Sequence, residues 1–411
     1  MRCWRVLRIA SPLIAFVLLL ALTACTGGRM VPAPVVSPQS PSTGALPPPP
    51  PRTSAPAGAG PVKVALLLPL SGANGELGKA MLEAAQLALF TTESGRLTLV
   101  PRDTSGTAEG AAAAARSAIS DGAKLILGPL LAAEVEAVRP VARDAKVNVI
   151  AFSTATQLAG DNIFLMGFLP RQEVMREVSF AHDKGLTRFA ALAPNSPYGH
   201  LMADALREAA AASGGSVVKV EYLDARTADP IGAVKRLQSP TAMAIPGSAP
   251  GKPPFDALLL PEGGERLKQI AHQVRQAGLD PAQVRLLGSG LWDDPQIAGE
   301  PALDGGWFAA SPPEPRREFD SRFQATYGHP APRLASLAFD AAALAAVLGA
   351  SGVEPFSRDA ILNPRGFSGV DGLFRFTSQG LVQRGLAVLE VEPQGNVPVS
   401  PAPQDFRDFS S

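Results

Sequence analysis

From residue 62 onward the chain alternates between short, almost wholly apolar runs and longer segments of helical period. The first run, Val62-Lys-Val-Ala-Leu-Leu-Leu-Pro-Leu70, leaves no polar face. A strand can be apolar on both sides only where both faces of its sheet are covered, as in a parallel sheet. Ser71-Gly72 turns the chain, and 75–91 reads as a helix. Strands at 97–102, 124–127 and 147–151 then alternate with helices at 107–120 and 131–144. The series restarts after Pro170, with helices at 172–184, 199–212 and 262–277 and strands at 188–193, 216–222, 256–260 and 284–287. Helices near 314–327 and 334–349 and strands at 373–376 and 386–391 complete the pattern. Strict alternation of this kind specifies right-handed βαβ crossovers. Two such series predict an α/β protein of two Rossmann-like, doubly wound lobes.

The ends of the chain read differently. Arg2, Arg5 and Arg8 precede an apolar run over 9–22, then Leu22-Thr-Ala-Cys25. A basic start, a short apolar run and small residues before a cut point describe an export signal. The run is too short to span a bilayer comfortably. The tetrapeptide resembles the bacterial lipobox, which implies a signal over 1–24 and lipidation of Cys25; an ordinary signal peptide with a chance Cys is the other reading. Residues 26–61 hold 11 of the 40 Pro and no aromatic residue. Such a segment cannot bury enough surface to fold, so 25–61 is expected to be an anchored, extended tether. At about 3.1 Å per residue it reaches roughly 110 Å. Residues 239–255, with five Pro, read as a loop, and 393–411 as a loose tail.

Charge narrows the function classes. The 37 basic and 37 acidic side chains cancel, and removal of residues 1–24 takes three Arg and no acid. No cationic surplus remains to displace phosphate counterions, which argues against a nucleic-acid partner. Two Cys, one of them in the signal, exclude a disulfide scaffold and a cysteine zinc cluster. His182, His200, His272 and His329 show no metal-ligand spacing, so no metal or cofactor is expected. Ser289 lies in Leu-Gly-Ser-Gly-Leu rather than G-x-S-x-G, and Gly78-Lys79 is followed by Ala80, which breaks a phosphate loop. Asp293-Asp294 sits at a Pro-bounded turn, where adjacent acids are ordinarily solvated. Nothing here favours catalysis.

The turns that follow strands are more informative, because open α/β sheets bind ligands at the carboxyl ends of their strands. Those turns carry Ser71, Gly72, Ser153, Thr154, Tyr198, Glu262, Ser289 and Trp292. Hydroxyls and backbone N–H groups suit a polar or anionic group, and Tyr198 and Trp292 could stack on a solute. Each residue taken alone also suits a helix cap or turn. As a set converging between two lobes they predict a ligand-binding cleft.

Leu66-Leu-Leu-Pro-Leu-Ser-Gly72, Leu127-Gly-Pro-Leu-Leu131, Ser196-Pro-Tyr-Gly199 and Gly288-Ser-Gly-Leu-Trp-Asp-Asp294 resemble the type I periplasmic binding fold of leucine-binding proteins. They look most like its branch of penicillin-binding-protein activator lipoproteins, over about 62–391. The resemblance implies two lobes joined by three crossings, lobe one near 62–168 and 308–366 and lobe two near 169–307 and 367–392. Amino-acid-binding relatives clamp the ligand carboxylate with hydroxyl-rich turns and its amine with an acid. Ser153-Thr154 and Tyr198 match that pattern, whereas Leu130-Leu-Ala-Ala133 offers no hydroxyl and Ser289-Gly290 stands where the acid is expected. An ammonium closed into a cleft without an acid is costly.

Two functions follow. In the first, a non-catalytic lipoprotein binds and activates a peptidoglycan synthase, a class A penicillin-binding protein. By resemblance to enteric lipoprotein sorting, Thr26, rather than Asp, after Cys25 then implies the inner leaflet of the outer membrane, facing the periplasm. In the second, a lipid-anchored receptor delivers an amino acid or other small polar solute to a transporter.

Overall fold

The computed structural model describes residues 61–92, 96–224, 229–239, 253–351 and 354–409. The expected signal, Cys25, the tether up to residue 60 and most of the 239–255 loop lie outside the described residues.

The first lobe begins with β1 (Val62–Leu68), α1 (Gly75–Thr91), β2 (Leu97–Asp103), α2 (Ala108–Ser120), β3 (Leu125–Leu127), α3 (Ala132–Asp144), β4 (Asn148–Ala151) and β5 (Ile163–Leu165). Its sheet has the order β2-β1-β3-β4-β5, with every pair parallel. The apolar run of β1 has a direct cause. Val64, Leu66 and Leu68 enter the core on one face, and Ala65 and Leu67 enter the core on the other.

The second lobe follows with α4 (Pro170–Asp183), β6 (Arg188–Pro194), α5 (Pro197–Ala212), β7 (Ser216–Leu223), α6 (Pro230–Gln238), β8 (Ala257–Leu259), α7 (Gly264–Gln276), β9 (Arg285–Leu287) and β10 (Trp307–Ala310). The chain then returns through α8 (Pro313–Tyr327), α9 (Ala335–Gly349) and the single turn α10 (Arg358–Ile361). α9 is buried on nearly every side, which is why it shows no apolar stripe. Its Ala338, Ala341, Ala342 and Ala345 share a core with Met81, Ala85 and Ala88 of α1, so α9 belongs to the first lobe.

The chain ends in β11 (Phe367–Gly369), β12 (Gly372–Phe376), β13 (Val382–Arg384), β14 (Ala387–Glu392) and β15 (Gly395–Ser400). The second sheet has the order β15-β14-β10-β9-β8-β6-β7, antiparallel only at β14 and β15. Passages between the lobes fall at 166–169, 311–312 and 385–386.

Three boundaries differ from the sequence reading. β10 pairs with β9 and β14, so the chain re-enters the first lobe after residue 310 and not at 308. Phe374, Phe376 and Val382 of the β11–β13 meander pack into the first core, so that segment does not belong to lobe two. The expected loose tail is ordered over 395–400 as β15, paired with β14. Pro398 has no N–H to donate, but β15 is an edge strand beside a register shift, where proline is tolerated.

Candidate functional site

A cavity of ≈ 630 Å³ opens between the lobes at the carboxyl ends of the strands. From the first lobe, β4 runs into Phe152, Ser153 and Thr154, which line it beside Leu130, Leu131 and Asn74. Ser153 is nearly buried, and its Oγ accepts from the Ala155 N–H at 3.2 Å, which fixes the turn. From the second lobe come Tyr198, Glu173, Gly290 and Asp293. Ser196 caps α5 by accepting from the Gly199 N–H at 3.2 Å, which sets Tyr198 in the first turn facing the cavity. Burial pushes the Tyr198 phenol up, and Ser289 is its hydrogen-bond partner.

Two acids one turn apart on α4 hold the loop opposite. Glu173 Oε2 accepts from the Gly290 N–H at 2.9 Å, and Glu177 Oε1 accepts from the Gly288 N–H at 2.9 Å. The Gly-Ser-Gly sequence is required by close approach. A Cβ on residue 288 would lie 2.2 Å from the Trp292 ring, and one on residue 290 would lie 2.5 Å from the Glu173 carboxylate. Burial raises both carboxyls, Glu177 well above its usual range; at Glu173 the Gly290 N–H and Arg333 oppose it.

Arg333 crosses from the first lobe. Its Nε lies 3.5 Å from Asp293, its Nη1 donates to Asp371 at 2.9 Å, and its guanidinium stacks 3.9 Å from the Phe168 ring centre. Burial alone would raise Asp371, but Arg333, Arg384 and Arg316 outweigh it and hold the group ionised. Asp340, beside it, accepts from the Val370 N–H at 2.7 Å. Burial, and then the Asp371 charge, push its carboxyl up to about 7. Arg384 Nη2 donates to the Met166 carbonyl at 2.7 Å, so this charge cluster sits on the passages between the lobes.

Of the eight turn residues picked from the sequence, Ser153, Thr154 and Tyr198 line this cavity. Ser289 stands just behind the surface, buried, with Tyr198 as partner. Ser71 is exposed and donates to Asp103 at 2.7 Å, and Gly72 supplies only the left-handed turn, with φ of 75°. Glu262 is tied to Arg266 at 2.9 Å and does not line the cavity. Trp292 cannot stack on a solute: it is fully buried, and its indole N–H donates to the Leu260 carbonyl at 3.2 Å. The turn aims its side chain into the second core, because Gly288 leaves room there for the ring.

Acids do stand beside Ser289-Gly290. Glu173 places its carboxylate on the Gly290 N–H, and Asp293 lies three residues further on. Sequence reading missed Glu173, Asp293 and Arg333 as a group because the α4 acid lies over 100 residues from the other two and the three follow no local spacing. Among the described residues, no cluster of His, Cys, Asp and Glu could hold a metal ion, and no helix is long and apolar enough to cross a membrane.

Two α/β lobes, three passages between them and a cavity at the strand ends define a two-lobed binding protein. A model of the periplasmic binding protein family matches residues 61–396, and the chain belongs to that family. Among solved structures, the fold is similar to a putative branched-chain amino acid ABC transporter from Rhodospirillum rubrum, at 21% identity over 82% of this chain and 100% of that one, with a TM-score of 0.72. An ABC transporter substrate-binding protein from Sphaerobacter thermophilus is 23% identical over 84% and 98% of the two chains, with a TM-score of 0.67. A solute binding protein of an ABC transporter from R. palustris, in complex with benzoate, is 20% identical over 84% and 98%, with a TM-score of 0.58. A curated relative, an uncharacterized protein of Rickettsia prowazekii, is 21% identical over 219 residues. That match spans 53% of this chain and 58% of the relative's length.

Proposed function

We propose that this protein is a non-catalytic solute receptor that closes its lobes on a small amphipathic solute bearing an amine and an acidic or carbonyl group. The observation that carries this reading is the pairing of unlike walls across one cavity: Ser153 and Thr154 on the first lobe, Tyr198, Glu173 and Asp293 on the second. Hydroxyls and turn N–H groups suit a carboxylate or carbonyl oxygen. The two acids suit an ammonium, whose burial is costly without them. Leu130, Phe152, Phe168 and Leu334 provide the apolar enclosure usual in small-molecule sites. The solved structures named above for amino-acid transport and benzoate binding support a solute-binding role over synthase activation. Delivery to a transporter and a lipid anchor at Cys25, in the periplasm, complete the proposal.

A thermal-shift screen of the full-length protein against amino acids and aromatic acids tests it. A ligand at 100 times its Kd adds about 2.7 kcal/mol to native stability, so a true solute raises Tm measurably. A flat response across the screen would remove the receptor reading.

Activation of a peptidoglycan synthase is kept as a second reading. It rests on Leu22-Thr-Ala-Cys25, the proline-rich 26–61 segment and Leu127-Gly-Pro-Leu-Leu131. A pull-down with a class A penicillin-binding protein, together with a polymerisation assay, decides it: no capture and no change in rate would dismiss it.

A further inference from the structure

The space between the lobes does not end at Arg333 and Asp293. Beyond them lies a second cavity, of ≈ 870 Å³, which shares Gly290, Leu291, Asp293, Ser311 and Arg333 with the first. The two differ in character. The first carries Leu77, Leu130, Leu131, Phe152, Phe168 and Leu334 beside its polar groups. The second adds Arg316, Arg317, Asp320 and Gln324 of α8, facing Asp294 and Asn396 of the second lobe, among proline, alanine and leucine side chains.

Two groups of the second cavity suit a polar ligand. Asn396 of β15 lines it, and an amide side chain can pair with a peptide backbone. Arg317 is largely exposed, and its partner is Glu314 on its own helix at 3.4 Å. At the waist between the cavities, Arg333 and Asp293 stand 3.5 Å apart. They present one cationic donor and one anionic acceptor side by side. A peptide group carries the complement, a carbonyl to accept from Arg333 and an N–H to donate to Asp293.

Resting on the solute-receptor reading and narrowing its ligand class, we infer that the site takes a short peptide with an apolar N-terminal residue. The first side chain and its ammonium occupy the apolar cavity, against Glu173. The peptide group passes the waist. The remaining backbone meets Asn396, and the terminal carboxylate meets Arg317.

Calorimetry on the full-length protein compares leucine, valine and phenylalanine with Leu-Gly, Val-Gly, Phe-Gly and Leu-Gly-Gly. At least one peptide should bind tenfold or more tighter than its free first residue. Ala298→Trp, on the wall of the second cavity, should weaken peptide binding at least tenfold and leave the free amino acid within twofold. Arg317→Ala, a surface change that the fold tolerates, should weaken peptide binding at least threefold and covers the case in which the tryptophan variant misfolds. Free amino acids binding as tightly as every peptide would overturn the inference while leaving the receptor reading intact. Peptide affinity unchanged within twofold in a folded Ala298→Trp and in Arg317→Ala would do the same. No binding by either series would remove the receptor reading and the inference with it.

Discussion

The first lobe gives the cleft hydroxyls, apolar side chains and one guanidinium, whereas the second gives it two partly buried carboxylates and a phenol. The walls also differ in how they are held. Glu173 is fixed by a backbone N–H of the loop it supports, with no directly bonded cation. Arg333 is fixed by acids on both sides, one of them across the cleft. The same residue types therefore serve two ends. Burial pushes up the carboxyls of Glu173 and Glu177, each of which supports a loop N–H, and at Glu173 the Gly290 N–H and Arg333 oppose the rise. Where arginines crowd in, Asp371 stays charged and ties the lobe passages together.

The largest effect should come from removing the shared cation. Arg333→Ala leaves Asp371 buried without its ion-pair partner, a change that typically costs about 3–5 kcal/mol. Denaturant unfolding should show it; a loss under about 1 kcal/mol would mean that Arg333 is not the tie between the walls. Gly288→Ala should cost less, about 1–3 kcal/mol, because the new methyl meets the Trp292 ring. The same unfolding measurement reads it, and a neutral result would show that the loop shifts freely on its acid supports.

The pH dependence separates the two acid clusters further. Asp340 has a folded pKa of about 7, above its ordinary 3.8. Between those values the native state holds the proton more tightly than the unfolded chain, so this group's contribution falls as pH rises from about 4 through 7. Asp340→Asn should therefore raise Tm by a few degrees above pH 7 and change it little near pH 4. Melting curves with the reverse trend would contradict an uncharged Asp340. The smallest effect is expected at Ser71→Ala. Ser71 is exposed and bonded to Asp103, outside the cavity, so stability should stay within about 0.5 kcal/mol and ligand affinity within twofold. Loss of affinity would extend the first wall to the end of β1.

Much of the scaffold is legible in the residues, and for stated reasons. β1 and α1 can be read because burial on two faces writes a continuous apolar run and burial on one writes a stripe. β5 and β10 are only three and four residues long, and each follows a short 3-10 turn rather than a helix, so neither a period nor the alternation announces it. β15 hides behind Pro398, which sequence reading takes as a sign of loose chain. The first wall is partly legible because Ser153 and Thr154 directly follow a strand. In the second, Tyr198 is legible for the same reason, but the acids are not, because an acid in the first turn of α4 looks like an ordinary helix charge until Gly290 is seen resting on it.

The central claim is that an amine is held by the acidic wall. Calorimetry with leucine and its des-amino analogue, 4-methylpentanoate, against the native protein and Glu173→Gln, tests this most directly. The substituted amide keeps an acceptor for the Gly290 N–H but carries no charge. The native protein should prefer leucine at least tenfold, about 1.4 kcal/mol, and the variant should lose most of that preference. Equal binding of the two compounds by the native protein, or a preference that survives Glu173→Gln, would contradict the account.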